Sequence, residues 1–294
     1  MAPELSWRLQ QTILDHAVAQ GEEIARVSGF KAPHVDPFTV IASDPDLYAE
    51  GADFQDAFDG RLEYIGPRFL LAYNTKYDRW PHLGDHHPKV RFTVGHELGH
   101  YFIDEHREYL RRRGAGHCSL TEFQSQSQVE KQADCFSAGL LMPRYMLAPA
   151  INKVRFPTLD LVKDIARCYR VSLTGLLVRW TQLSDFPCAV VAMSQDGVKW
   201  GWVSEAFRTA GAYRVLRSPQ VGSRDASEFL RTDPTLSNYR EGKGSGLADQ
   251  WLDFDRDRIG VDEFYAVIPY GKYMLVFIVA DEDDLDSCYG HDND

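Results

Sequence analysis

The sequence predicts an α+β fold in two parts, on three observations. The first half carries apolar residues at helical spacing, interrupted by one short pair of β-prone runs. At Asp185-Phe186-Pro187 the character changes, and β-prone runs separated by turn residues follow. The chain has 294 residues, 44% hydrophobic and 26% charged, the balance of a globular protein long enough for two ordinary domains.

Each element follows from its own stretch. Residues 3–28 place Leu5, Leu9, Ile13, Leu14, Ala17, Ile24 and Val27 at the spacing of an amphipathic helix. Pro33 and Pro37 break that pattern, and the polar stretch after them reads as holding a short helix over 47–58. Residues 61–65 and 68–73 read as a hairpin across Gly66-Pro67. The pattern from 90 to about 103 is helical again. The long polar insert 105–128 holds three arginines (Arg111 to Arg113), Gly114, Gly116 and the run QSQSQ, without apolar periodicity, and reads as a loop. Residues 129–142 return to helix, closed by Pro143. Residues 159–169 and 173–183 form a predicted helix pair joined by a tight turn, with Ser172 as the second N-cap. Beyond Pro187, runs 188–193, 198–203, 213–216, 263–268 and 274–280 are β-prone, whereas Gly-rich 239–246 reads as a loop.

Charge narrows the function classes. The formal charge is −11. Residues 281–294 hold seven acidic residues and no Lys or Arg, and read as a solvated acidic tail; the rest carries −4. Bulk electrostatics therefore argue against nucleic-acid binding. Five widely spaced cysteines without a Cys-x-x-Cys fit free thiols in a reducing cytoplasm. No stretch approaches the ~18 apolar residues of a membrane span, and the N-terminus lacks the apolar core of a secretory signal. The expected location is cytoplasmic, with no membrane partner.

One motif carries chemistry. His96-Glu97-Leu98-Gly99-His100 is an HExxH sequence. Residues four apart share a helix face, so both imidazoles can converge on one metal ion, and zinc suits them. Glu97, one residue round, is placed to take a proton from a water that the metal acidifies. The flanking Val90, Phe92, Val94, Phe102 and Ile103 argue for a buried helix, where two histidines and a glutamate need partners. Glu130 is the best candidate for a third ligand. Asp134, one turn later, can hydrogen-bond the second nitrogen of a ligand histidine. From spacing alone, a Glu and Asp four apart are more often a solvated helix face.

RFTVGHELGHYF at 91–102, followed by EKQADCFSAGLLMP at 130–143, resembles the ImmA/IrrE family of bacterial metallo-endopeptidases. The hairpin with Tyr73-Asn74 resembles that family too. Gly95 stands where Ala is commoner, and Ser137 where Ala is usual. The resemblance implies a zincin-like fold over 1–150 with His96, His100 and Glu130 as metal ligands and Glu97 as catalytic base. It further implies a helix-turn-helix-like segment over 151–185 and a C-terminal α+β domain over 186–280, GAF-like in one branch and there a sensor of a small-molecule signal. The expected cofactor is zinc, with manganese or iron as alternatives for a two-His-one-carboxylate site. The expected substrate is a helix-turn-helix (XRE-type) transcriptional repressor, cleaved in a stress or mobile-element response.

Several assignments stay open in the sequence. His106, His117 and Tyr145 are candidates for stabilising an oxyanion, each more readily read as a surface or packing residue. Arg170 stands where DNA-binding helix pairs prefer Gly in the turn; it, Arg167 and Arg179 are the residues a DNA role would use. Trp200, Trp202, Tyr213 and Trp251 can line a pocket, although core packing is the more ready explanation for each. The rival reading is a non-enzymatic regulator or antitoxin-like protein, with a structural metal site and a helix pair or C-terminal domain that binds DNA, protein or a signal.

Overall fold

The computed structural model describes residues 3–79, 85–113, 117–119, 127–154, 156–217, 221–254 and 259–280. The chain divides into two compact units, residues 1–147 with 165–172, and residues 148–164 with 173–294. The expected acidic tail lies outside the described residues.

In the first unit, helix α1 (Pro3–Val27) realises the predicted amphipathic helix and is followed by the short α2 (Pro37–Ala42), N-capped by Asp36. Strands β1 (Leu47–Ala52), β2 (Gly60–Ile65) and β3 (Arg68–Asn74) come next, then α3 (Pro88–Phe102), α4 (Asp104–Arg113), β4 (His117–Ser119) and α5 (Gln128–Leu141). The sheet order is β1-β3-β2-β4. The hairpin β2–β3 pairs antiparallel, Gly60 opposite Tyr73, and Gly66 turns it with φ +63°. The expected helix over 47–58 is instead strand β1, parallel to β3. Only Leu47 of β1 is buried, so no alternation marks it in the sequence; the ladder to β3 supplies what periodicity lacks. The insert is likewise more ordered than its composition predicts. His106 and Leu110, four apart, are buried on one face and belong to helix α4, which forms the first part of the insert, a period that the surrounding arginines and glutamates hide.

Helix α5 is packed at backbone distance on two sides. A Cβ on Gly21 of α1 would lie 2.1 Å from the Phe136 carbonyl oxygen, and one on Gly139 would lie 2.2 Å from that of Val18. On the α3 side, a Cβ on Gly99 would sit 3.0 Å from Ala133 Cα. The core around this sandwich joins Ala17, Ala25, Val94, Leu98, Phe136 and Leu140 to Leu62, Phe69 and Leu71 of the sheet.

Helix α6 (Arg144–Ile151), helix α7 (Leu159–Tyr169) and helix α8 (Leu173–Leu183) follow, the last two with the predicted bounds. Arg170 adopts φ +53°, the left-handed conformation for which Gly is preferred, so the turn forms at a cost of about 1 kcal/mol. Val171 N–H closes it on Ala166 O at 3.0 Å.

The second unit is built on a five-stranded antiparallel sheet. Its strands are β5 (Cys188–Ser194), β6 (Gly197–Val203), β8 (Glu241–Leu247), β10 (Gly260–Ile268) and β11 (Tyr273–Val279), ordered β6-β5-β11-β10-β8. A two-stranded ribbon of β7 (Ala212–Val215) and β9 (Leu252–Phe254), with α9 (Glu205–Thr209) and α10 (Arg224–Arg231), covers one face around Trp251, Phe207 and Tyr265. Strand β5 is buried throughout. The stretch expected as a Gly-rich loop is strand β8. Its glycines alternate, and a Cβ on Gly242, Gly244 or Gly246 would meet Phe229, the Tyr265 hydroxyl or Glu263 at 2.5, 2.3 and 2.4 Å. Glycine here makes room for side chains across the sheet rather than for a turn. Buried Glu263 accepts from Ser223 Oγ at 2.6 Å, from Trp251 Nε1 at 2.7 Å and from the Tyr265 hydroxyl, which satisfies a carboxylate inside the core.

Cysteine reactivity should follow this burial. Cys168 is exposed, whereas Cys188 lies inside β5, where burial pushes its thiol up to about 12 against the opposing hydrogen bonds of Ser184 and Ser204. A thiol with that pKa is almost wholly protonated at pH 8 and inert. Site-resolved alkylation at pH 8 is expected to modify Cys168 in the folded protein and Cys188 only in denaturant; equal rates at both would contradict the packing.

Candidate metal centre

Helix α3 positions both histidines because it is buried on nearly every side from Val90 to Tyr101. Buried Arg91 anchors its first turn, donating to Val35 O and pairing with Asp36 at 3.6 Å, so the arginine that opens the 91–102 run has a structural task. His96 and His100 are 1% and 2% exposed and their Nε2 atoms face one another at 3.1 Å. Glu130, in the first turn of α5, brings its carboxylate to 3.3 Å from His96 Nε2 and 3.6 Å from His100 Nε2. One donor atom from each of the three lies within 4.8 Å of the other two.

The remaining nitrogens are occupied from outside the cluster. His96 Nδ1 is 2.8 Å from Asp134 Oδ1. His100 Nδ1 is 3.1 Å from His106 Nδ1, and His106 Nε2 is 3.2 Å from Gln132 Oε1. Burial opposes a charge on His96, yet the hydrogen bonds to Asp134 and Glu130 and the charge of Glu97 outweigh it and lift the imidazole to about 10. The hole between these side chains is therefore one that favours a cation. Two inward imidazole nitrogens and one carboxylate, each histidine held from behind, fit the donor set of a divalent metal with an open position.

Glu97 is fully buried, and strand β2 holds its carboxylate in place: a Cβ on Gly60 would lie 2.5 Å from Glu97 Oε1. Asn74 delivers Gly60 to that point. Its side-chain amide donates to Gln55 O and Phe58 O, both at 2.7 Å, and its carbonyl accepts from Phe54 N–H at 3.1 Å, which fixes the loop before β2. Gly60 and Asn74 carry no chemistry of their own, and nothing in residue type alone singles them out.

The comparisons with known proteins bear on this geometry. Residues 83–181 match the model of a peptidase family, the IrrE N-terminal-like domain. Over that stretch the chain is similar to a domain of metallopeptidase type. Among solved structures, a Mycobacterium tuberculosis transcriptional regulator is similar in fold, with a TM-score of 0.54 at 12% identity, covering 94% of this chain and 80% of that one. No curated protein matches the chain in sequence.

The packing of α3 against α5 accounts for the two departures from the family pattern. A Cβ on Gly95 would lie 2.5 Å from Ser137 Oγ, and that hydroxyl donates to Phe92 O at 2.9 Å. The serine occupies the space that an alanine methyl at position 95 would need. In a double-mutant cycle, Gly95→Ala and Ser137→Ala are expected to couple by about 1 kcal/mol or more, Gly95→Ala being tolerated only when Ser137→Ala accompanies it. Strict additivity in denaturant titrations would show that the two positions do not meet.

The three oxyanion candidates fare differently. Both ring nitrogens of His106 are engaged by His100 and Gln132, so it faces the ligand rather than a substrate. Tyr145 donates to Phe30 O at 2.9 Å. The His117 side chain lies outside the described residues. Of the aromatic residues read as pocket or core, Trp251 is core, while Trp202 and Tyr213 border a surface cleft of about 530 Å3 with Arg208, Arg214 and Arg217.

Proposed function

We propose that the protein is a zinc-dependent endopeptidase of the cytoplasm that cleaves a helix-turn-helix transcriptional repressor and so switches on a stress or mobile-element response. The observation that carries the reading is the convergence of His96, His100 and Glu130 beside a buried Glu97, within an IrrE-like domain.

In this reading His96, His100 and Glu130 hold the metal, and Asp134 orients His96. When bound, zinc supplies Lewis acidity to the scissile carbonyl and to the attacking water. Manganese or iron would suit the same donors. The Glu97 carboxylate takes the proton of the water and passes it to the leaving amide nitrogen, a general base that becomes a general acid. Gly60 leaves the space in which that carboxylate sits. The second unit, with its strands in the order 2-1-5-4-3 when the sheet strands are numbered along the chain, supports a GAF-like sensor of a small-molecule signal.

A DNA-binding role for the helix pair finds less support. Thr174 and 176–181 of α8 are buried, Arg179 among them, so the second helix offers no broad face for a groove. The fold neighbour's designation as a transcriptional regulator keeps the non-enzymatic reading as the rival. Zinc-loaded protein incubated with a repressor encoded nearby should yield two defined fragments, and chelator-treated protein none. Binding of the repressor without cleavage, in the presence of zinc, would favour the regulator. Comparable digestion of unrelated unfolded proteins would refute narrow specificity.

A further inference from the structure

We infer that His106 and Gln132 form a proton-ordered relay that selects the metal-binding tautomer of His100. The inference rests on the metal-centre reading above and concerns two side chains that no motif singles out.

With the Gln132 amide oxygen turned toward His106 and both rings neutral, one ordering of protons satisfies the three groups. Gln132 Oε1 is an acceptor, and it lies 3.2 Å from His106 Nε2, so His106 carries its proton on Nε2. His106 Nδ1 is then a lone pair, 3.1 Å from His100 Nδ1, and accepts from a proton there. His100 Nε2 is left unprotonated, facing His96 Nε2 at 3.1 Å and the Glu130 carboxylate at 3.6 Å. That is the form a cation needs. The reverse ordering fails twice. It sets a lone pair of His106 against the amide oxygen, and it points an N–H of His100 into the centre.

The two histidines are thus held by different chemistry. His96 has the carboxylate of Asp134 behind it, a charged partner. His100 has a neutral imidazole, itself 6% exposed, fixed by a neutral amide. Glu97, Glu130 and Asp134 already crowd the centre with negative charge, and a neutral relay orients the second imidazole without adding a fourth carboxylate. Helix α4 supplies His106 and helix α5 supplies Gln132, two residues after Glu130, so the segment between α3 and α5 contributes to a site whose ligands flank it in sequence.

The test measures zinc affinity of the full chain by chelator competition. His106→Leu and Gln132→Leu are expected to weaken zinc binding by about 10–100-fold, and Gln132→Glu, which still accepts from Nε2–H, to stay within about threefold of the parent. Nitrogen-resolved histidine NMR of the zinc-loaded parent should show His100 protonated on Nδ1 and His106 on Nε2. Melting of the metal-free variants separates folding from ligation, and His106→Gln, which retains an acceptor, serves if the leucine variant does not fold. Parental affinity in both leucine variants, or a His106 proton on Nδ1, would overturn the relay and leave the peptidase reading standing. Weakened zinc binding in the relay variants, without any peptide cleavage by the parent, would support the relay and overturn the peptidase.

Discussion

Glu97→Gln is expected to lower peptide cleavage by about 10²–10⁴-fold with zinc content unchanged. Gly60→Ala is expected to reproduce about 100-fold of that loss without touching any ionisable group. The amide of glutamine keeps the volume of the side chain and removes its ability to accept a proton from water. The alanine acts by displacement. Its Cβ would lie 2.5 Å from Glu97 Oε1, 2.9 Å from Glu97 Cγ and 2.6 Å from Thr93 Cγ2. The carboxylate end is the flexible partner in that contact, so it yields, and the strand and helix keep their places. Stability should therefore fall by only about 1 kcal/mol, while a shift of about 1 Å in the base is enough to cost two orders of magnitude in rate. Zinc content, melting temperature and kcat on one substrate measure all three. Parental cleavage by Gly60→Ala, with Glu97 still required, would show that the glycine does not set the position of the base.

The largest loss of stability is expected from Gly21→Ala. Its Cβ would lie 2.1 Å from the Phe136 carbonyl oxygen and 2.7 Å from Leu140 N, and Gly139 makes the reciprocal approach to Val18 O at 2.2 Å. Both contacts are with backbone, which has no rotamer to change. Helices α1 and α5 must separate instead, and their separation opens the core around Ala17, Ala25, Phe136 and Leu140. Overpacking of this kind costs about 3 kcal/mol or more. For a unit of this size that corresponds to a fall of roughly 10 °C in melting temperature. Because α5 also carries Glu130, zinc affinity should drop with it. A Gly21→Ala protein that melts with the parent would mean that α1 is not seated on α5 as described.

The elements legible in the sequence are those whose signal is local. The helical spacing of 3–28, the hairpin across Gly66-Pro67 and the pair 159–169 and 173–183 need only periodicity and turn chemistry, and the structure contains them. The failures have one cause. Strand β1 has a single buried residue, β8 has glycine at alternate positions and α4 hides two buried residues among charges, so local periodicity marks none of them. The same division runs through the site. His96, Glu97 and His100 stand on one turn of one helix, and their spacing displays them. Glu130 and Asp134 share the spacing of any solvated face and are distinguished by family resemblance. Gly60 and Gln132 have no signal of type or spacing, and His106, read from its type as an oxyanion candidate, has none for the place it takes behind His100.

The sequence by itself determined which side chains can bind a metal and that two of them share a helix face, because a helix of 3.6 residues per turn makes four-residue spacing a statement about geometry. Tertiary structure decided the rest. Whether Glu130 reaches those imidazoles depends on how closely α3 and α5 approach, which Gly95, Gly99, Ala133 and Ser137 permit by their lack of bulk. Which nitrogen of His100 faces inward depends on a histidine and an amide from two further stretches of chain. Distances of a few tenths of an ångström between segments far apart in sequence are set by packing, and packing is a property of the folded whole.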